Sequence, residues 1–231
     1  MPDLSRLVDY SNPNSLGSRL RLRRRHHLEG LIEAIYQRKG SVRIVDLGGR
    51  REYWKLFDDL YLRSRKVHVT LVNPEYTPTN TDQVDPNFLA VSGDGCSLPC
   101  YQDNSFDLTH SNSTIEHVGT WERMEAFAQE SRRLAPAYYL QTPYFWFPIE
   151  PHFLAPFFHW LPESWRAKAL LTKWIAHESS SDLGESMRRV RSAVLLDKAQ
   201  LSFLLPDGTI RFEWIGVFPK SLIAIRQPPI P

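Results

Sequence analysis

Residues 42–50 read V-R-I-V-D-L-G-G-R, an apolar run that ends at Asp46 and passes directly into Gly48 and Gly49. The run of valine, isoleucine and leucine predicts a buried strand over 42–47, and the paired glycines predict a tight turn at its end. Such a turn lets main-chain N–H groups come close to a ligand because no Cβ stands in the way, and it is a usual seat for a nucleotide-type group.

Upstream, Leu20, Leu28, Leu31, Ile32 and Ile35 recur at helical spacing over 18–38, Arg21, Arg23, Arg24 and Arg25 crowd the first half, and Gly40 ends the helix. Downstream, Trp54, Phe57, Leu60 and Tyr61 predict a helix through Arg63, and 67–72 reads as a second strand. Strand, helix, strand is a βαβ unit, which brings both strand ends to one rim. The alternation continues with a strand over 88–92 ending at Gly93-Asp94-Gly95, and another over 106–110 ending at Ser111-Asn112-Ser113. A helix carrying Trp121, Met124, Ala128, Ser131 and Leu134 stops near Pro136, and a fifth strand follows over 137–141. Residues 143–174 change character, dense in proline and aromatics from Tyr144, Phe145 and Trp146 to Trp165 and Trp174, and read as an inserted cap. Asp197 with Gln200 predicts a capping box for a helix through Leu204. Pro206-Asp207-Gly208 then turns into a strand over 210–215 that pairs with 222–225 as a hairpin.

At 231 residues, 42% hydrophobic and 23% charged, the chain can bury one full core, and a net charge of +2 gives no electrostatic footprint for nucleic acid. Two cysteines, Cys96 and Cys100, cannot form a disulfide framework and are too few for a zinc site, so a reducing compartment is expected. Residues 1–16 lack an apolar stretch behind a basic start, and no run is long enough for a membrane span, so the expectation is a cytoplasmic protein.

V-D-L-G-G, then G-D-G-C-S-L-P, then N-S-F-D-L-T-H-S-N-S-T-I-E-H-V, in that order and spacing, resemble the class I methyltransferases that use S-adenosylmethionine, specifically the type 11 group. The resemblance covers roughly 42–141 well and the last strands loosely. It implies an α/β, Rossmann-like fold: a seven-stranded, mostly parallel sheet with helices on both faces, the last strand antiparallel and the aromatic-rich helical insert after the fifth strand. The expected division is a basic helical segment over 1–41 and a methyltransferase domain over 42–231, with the cap insert at 143–180.

The same resemblance gives each position a role. Asp46 is expected near the ammonium of the cofactor's methionine end, with Gly48 and Gly49 allowing close backbone approach. The family pattern continues with a further glycine where this chain has Arg50. Where the family places an acid on the ribose hydroxyls, this chain has Asn73, with Glu75 two residues on; an amide offers one such acceptor bond, not a pair. Asp94 would accept from the adenine amino group with the Gly95 N–H nearby, and Ser111 and Asn112 would flank the methionine portion and the methyl. Taken singly, each motif suits an ordinary turn.

Methyl transfer from a sulfonium is an in-line displacement, and an oxygen nucleophile must also lose a proton. His117, just after the fourth strand, is the candidate base; the alternative is that Glu116 and His117 pack and orient the loop. Some relatives with an E-H pair hold a metal there with further carboxylates, which Ser113 and Thr114 do not supply, so no metal is expected. His152 and His159 read as structural histidines. The insert's rings form an acceptor wall or else a satellite core or a dimer contact. A small-molecule, glycan or lipid-linked acceptor suits such a wall, and Arg19, Arg21, Arg23, Arg24 and Arg25 suggest peripheral contact with a membrane or an acceptor phosphate. Two other functions stay open: a non-catalytic binding or scaffold module, because of Arg50 and Asn73, and a nicotinamide-dependent oxidoreductase, which the absence of G-x-G-x-x-G disfavours.

Overall fold

The computed structural model describes residues 16–75, 85–150, 152–153, 155–172 and 179–229. Helix α1 (Leu16–Lys39) buries Leu28, Leu31, Ile32 and Ile35 along one stripe. Gly40 stops it in the left-handed region at φ +70°, its N–H donating to Tyr36 O at 2.8 Å, a role that favours glycine. Strand β1 (Val42–Leu47) follows, then two short helices, α2 (Arg51–Trp54) and α3 (Asp59–Ser64). The sequence predicts one continuous helix here. It is split because Asp58 accepts from Leu60 N at 2.8 Å and so starts a new helix, while Trp54 and Phe57 turn into the core.

The main sheet contains β2 (Val67–Asn73), β3 (Phe88–Ser92), β4 (Leu108–Asn112), β5 (Ala137–Pro143), β8 (Thr209–Ile215) and β9 (Phe218–Arg226) beside β1, in the order β3-β2-β1-β4-β5-β9-β8. The first five are mutually parallel and β9 alone runs against them, since β9 is antiparallel to both β5 and β8. Strand β4 begins two residues later than the expected 106, because the Asp107 carboxylate accepts from Arg43 N and Lys39 Nζ instead of entering the strand. Helices α1, α2 and α3 cover one face; α4 (Trp121–Leu134) and α7 (Lys198–Leu204) cover the other with a second apolar core. The expected capping box on α7 is present, Asp197 and Gln200 exchanging bonds of 2.8 and 2.9 Å.

The insert is a small body with its own core. A two-stranded ribbon, β6 (Ile149–Glu150) with β7 (Ala155–Pro156), leads to α5 (Glu163–Leu171) and α6 (Leu183–Val190) around buried Phe158, Ala167, Leu170 and Val190. It therefore runs past 180 to the end of α6, while Trp174 lies outside the described residues. Among the described residues no helix is long and apolar enough to cross a membrane.

Candidate active site

Strand β1 pairs with β2 on one side and β4 on the other, and chain connections leave in opposite directions at that point. Open α/β sheets bind ligands outside the carboxyl ends of the strands at such a switch. A cleft of about 640 Å³ lies there, lined by the glycine turn, Asn73, Asp94, Gly95, Asn112 and His117 among others. Gly48 has φ +73°, and a Cβ on it would strike the Thr114 side chain; a Cβ on Gly49 would strike the Asp46 carboxylate. Both glycines are thus required by the turn's own packing.

Beneath the turn lies a buried polar group that sequence reading misses. Asp46 and His110 are opposite each other across the β1/β4 ladder, so their side chains leave the sheet on one face. His110 Nδ1 stands 2.7 Å from Asp46 Oδ1, and Trp54 Nε1 donates to Asp46 Oδ2 at 2.8 Å. The His110 ring packs against Tyr53 at 4.6 Å and Tyr139 at 5.7 Å between centroids. Its Nε2 is buried without a hydrogen-bond partner, and the residue lines the cleft. Asp46 is fully buried and its carboxylate serves Trp54 and His110, and both Asp46 and His110 line the cleft.

Other expected contacts are distributed unevenly. Asn73 Nδ2 donates to Gly49 O at 2.8 Å, pinning the turn; it lines the cleft, whereas exposed Glu75 does not. Asp94 accepts from the Arg123 guanidinium at 3.0 Å on both oxygens and from Cys96 N at 3.0 Å. Burial opposes its charge, but these donors outweigh it and hold the carboxyl below its ordinary range. Ser111 is not among the residues lining the cleft: its buried hydroxyl donates to Leu47 O at 2.9 Å and ties β4 to β1. Asn112 lines the cleft and accepts from Arg24 Nη1 at 2.9 Å.

Arg24 is itself buried, with its Nε 3.0 Å from Glu213, and Arg25 pairs with Glu29 at 2.9 Å and donates to Leu56 O. Arg24 is therefore enclosed and not part of a basic surface, Arg25 is partly exposed, and the side chains of Arg19, Arg21 and Arg23 lie outside the description.

At the rim, the 3₁₀ turn Ile115–His117 follows β4. Glu116 is fully buried, its Oε2 accepting from Thr142 Oγ1 at 3.0 Å, and burial pushes its carboxyl up to about 7 against that bond and the nearby His152. His117 lines the cleft; its Nδ1 bonds Ser192 O at 2.8 Å, and its Nε2 lies 3.2 Å from His152 Nε2 of the insert. His159, by contrast, is held on Phe145 O at 2.7 Å.

Residues 54–137 match the family model described as a methyltransferase domain, starting just past the glycine turn. No curated protein matches the sequence. Among solved structures, the fold is similar to a possible exported protein from Bordetella parapertussis at 15% identity, covering 88% of this chain and 68% of that one with a TM-score of 0.51. A SAM-dependent methyltransferase from Aquifex aeolicus has 16% identity over 97% of this chain and 99% of its own, with a TM-score of 0.48. The sheet order and the domain match, which covers about a third of the chain, together support a class I S-adenosylmethionine-dependent methyltransferase. S-adenosylmethionine is the cofactor of that class, and the cleft fits it: there is room at the switch point, and the buried, unpartnered Nε2 of His110 gives the polar end of the cofactor a group to meet.

Proposed function

We propose that this methyltransferase moves the methyl of S-adenosylmethionine to an oxygen on a small-molecule, glycan or lipid-linked acceptor held between the cleft and the insert. The observation that carries this reading is the position of His117, which lines the cleft, is bonded to Ser192 O just past the insert and contacts His152 within it. An acceptor hydroxyl entering between them meets a titratable imidazole where its proton must leave. Trp146 and Phe157, each within 6.0 Å of Trp160 between ring centroids, offer a flat apolar wall for a sugar face or an alkyl chain.

On the cofactor side, His110 is the contact for the methionine end. Its Nδ1 is fixed by Asp46, so its Nε2 carries the influence of that carboxylate to the cleft and can accept from an ammonium. Asp94 accepts from the adenine amino group beside the Gly95 N–H, with Arg123 yielding part of its bidentate hold. Asn73 offers its amide oxygen to one ribose hydroxyl while its NH₂ stays on Gly49 O.

A second reading, a module that binds without turnover, is favoured by the same Asn73 and Asp94 bonds, since both side chains are already engaged. Incubation of the full chain with methyl-labelled S-adenosylmethionine and a panel of hydroxylated acceptors separates the two. Label on an acceptor together with released S-adenosylhomocysteine supports transfer at oxygen. Saturable cofactor binding with no label on any acceptor leaves the binding module, and label appearing only on amines overturns the oxygen assignment.

A further inference from the structure

We propose that Glu116, His117 and His152 bind a divalent cation of the zinc type at the junction of the cleft and the insert. One ligand atom from each of the three lies within 4.8 Å of the other two. Two nitrogens bound to a tetrahedral zinc at ~2.0–2.1 Å stand about 3.3 Å apart, and the two Nε2 atoms are 3.2 Å apart with their rings at 88°. A backbone carbonyl can only accept, so the bond to Ser192 O puts a proton on His117 Nδ1; in the neutral ring Nε2 then carries the lone pair, the arrangement that metal-bound histidines adopt.

The second observation concerns Glu116. Its Oε1 is wholly buried and has no hydrogen-bond partner, while Oε2 is held by Thr142. An unmet buried carboxylate oxygen is costly, and a cation beside it removes that cost. Two imidazoles and one carboxylate form a donor set that suits zinc and leaves one coordination position for an oxygen ligand. The loop after β4 lacks further carboxylates, and the insert supplies His152 instead, 35 positions beyond His117 in the chain. Resting on the methyl-transfer reading, the open position would take the acceptor hydroxyl and lower its pKa, its proton passing to solvent water, so that His117 would serve the same transfer as a ligand of the cation in place of accepting the proton itself.

Titration of chelator-treated full-length protein with Co²⁺, read by the visible absorption of nitrogen-bound cobalt, tests the site without needing an acceptor. One equivalent of Co²⁺, displaced by Zn²⁺, is expected, with His152→Ala and Glu116→Gln each weakening binding at least about tenfold. Circular dichroism and S-adenosylhomocysteine titration of both variants establish that they fold. No cobalt absorption, or absorption that persists in folded His152→Ala, overturns the cation site. Cofactor binding without cobalt binding refutes the cation alone, whereas cobalt binding without cofactor binding refutes the methyltransferase reading instead.

Discussion

The sheet wall of the cleft and the aromatic wall of the insert beside it are built differently. On the sheet side, Asp46, His110 and Trp54 are fully enclosed and bonded across neighbouring strands, and the glycines above them fit with no space for a Cβ. On the insert side, Trp146, Phe157 and Trp165 are each more than half exposed, and Phe157 sits in the left-handed region at φ 59°. Strand register fixes the first wall in advance, as a site for one invariant ligand requires. The second keeps apolar area in solvent and holds a strained residue, features that fit a wall whose ligand is supplied from outside.

Changes at the junction of the two walls should have the largest effect. His117→Ala is expected to lower the methyl-transfer rate by about 10²–10⁴-fold, with S-adenosylhomocysteine affinity nearly intact. Steady-state kinetics beside calorimetry would expose an equal loss in both, which would move His117 to the cofactor wall.

Within the sheet wall, Asp46→Ala strands the buried Trp54 N–H and the His110 ring together. A stability loss of about 3 kcal/mol is expected from a broken buried charged network. A urea midpoint that hardly moves would mean that water replaces the carboxylate and that the wall is less closed than described.

Asp94→Ala removes a half-exposed carboxylate that the fold does not need, so the effect should fall on binding: about tenfold weaker cofactor affinity, with unfolding little changed. Unaltered affinity would leave Asp94 as a turn residue serving Cys96 N and Arg123.

The smallest change is expected in the insert. Phe157→Gly should raise stability by up to about 1 kcal/mol, because glycine adopts positive φ without strain and little packing is lost from an exposed ring. A decrease would show that the ring contact with Trp160, at 5.1 Å, outweighs the backbone strain.

The same contrast explains what could be read from the chain. Strands β1, β2 and β3, helix α1 with its Gly40 stop, the α7 capping box and the terminal hairpin are written in local periodicity and turn chemistry, and the three strand-end motifs locate the cleft. His110 was not legible because its partner lies 64 positions away and meets it only through the β1/β4 register. His152 was not legible because nothing near it in the chain points to Glu116 or His117. Ser111 and Asp46 were legible as residues of the site's neighbourhood, but their buried partners, Leu47 O and the His110–Trp54 pair, were not, because only the fold brings them within reach.

Calorimetric titration of the full chain with S-adenosylhomocysteine, beside His110→Ala, tests the central claim that the cleft over Asp46 and His110 holds the cofactor. One site per chain, weakened about tenfold or more in a variant that remains folded, is the expected result. No saturable heat with the unaltered chain, or an affinity that His110→Ala leaves unchanged, would contradict it.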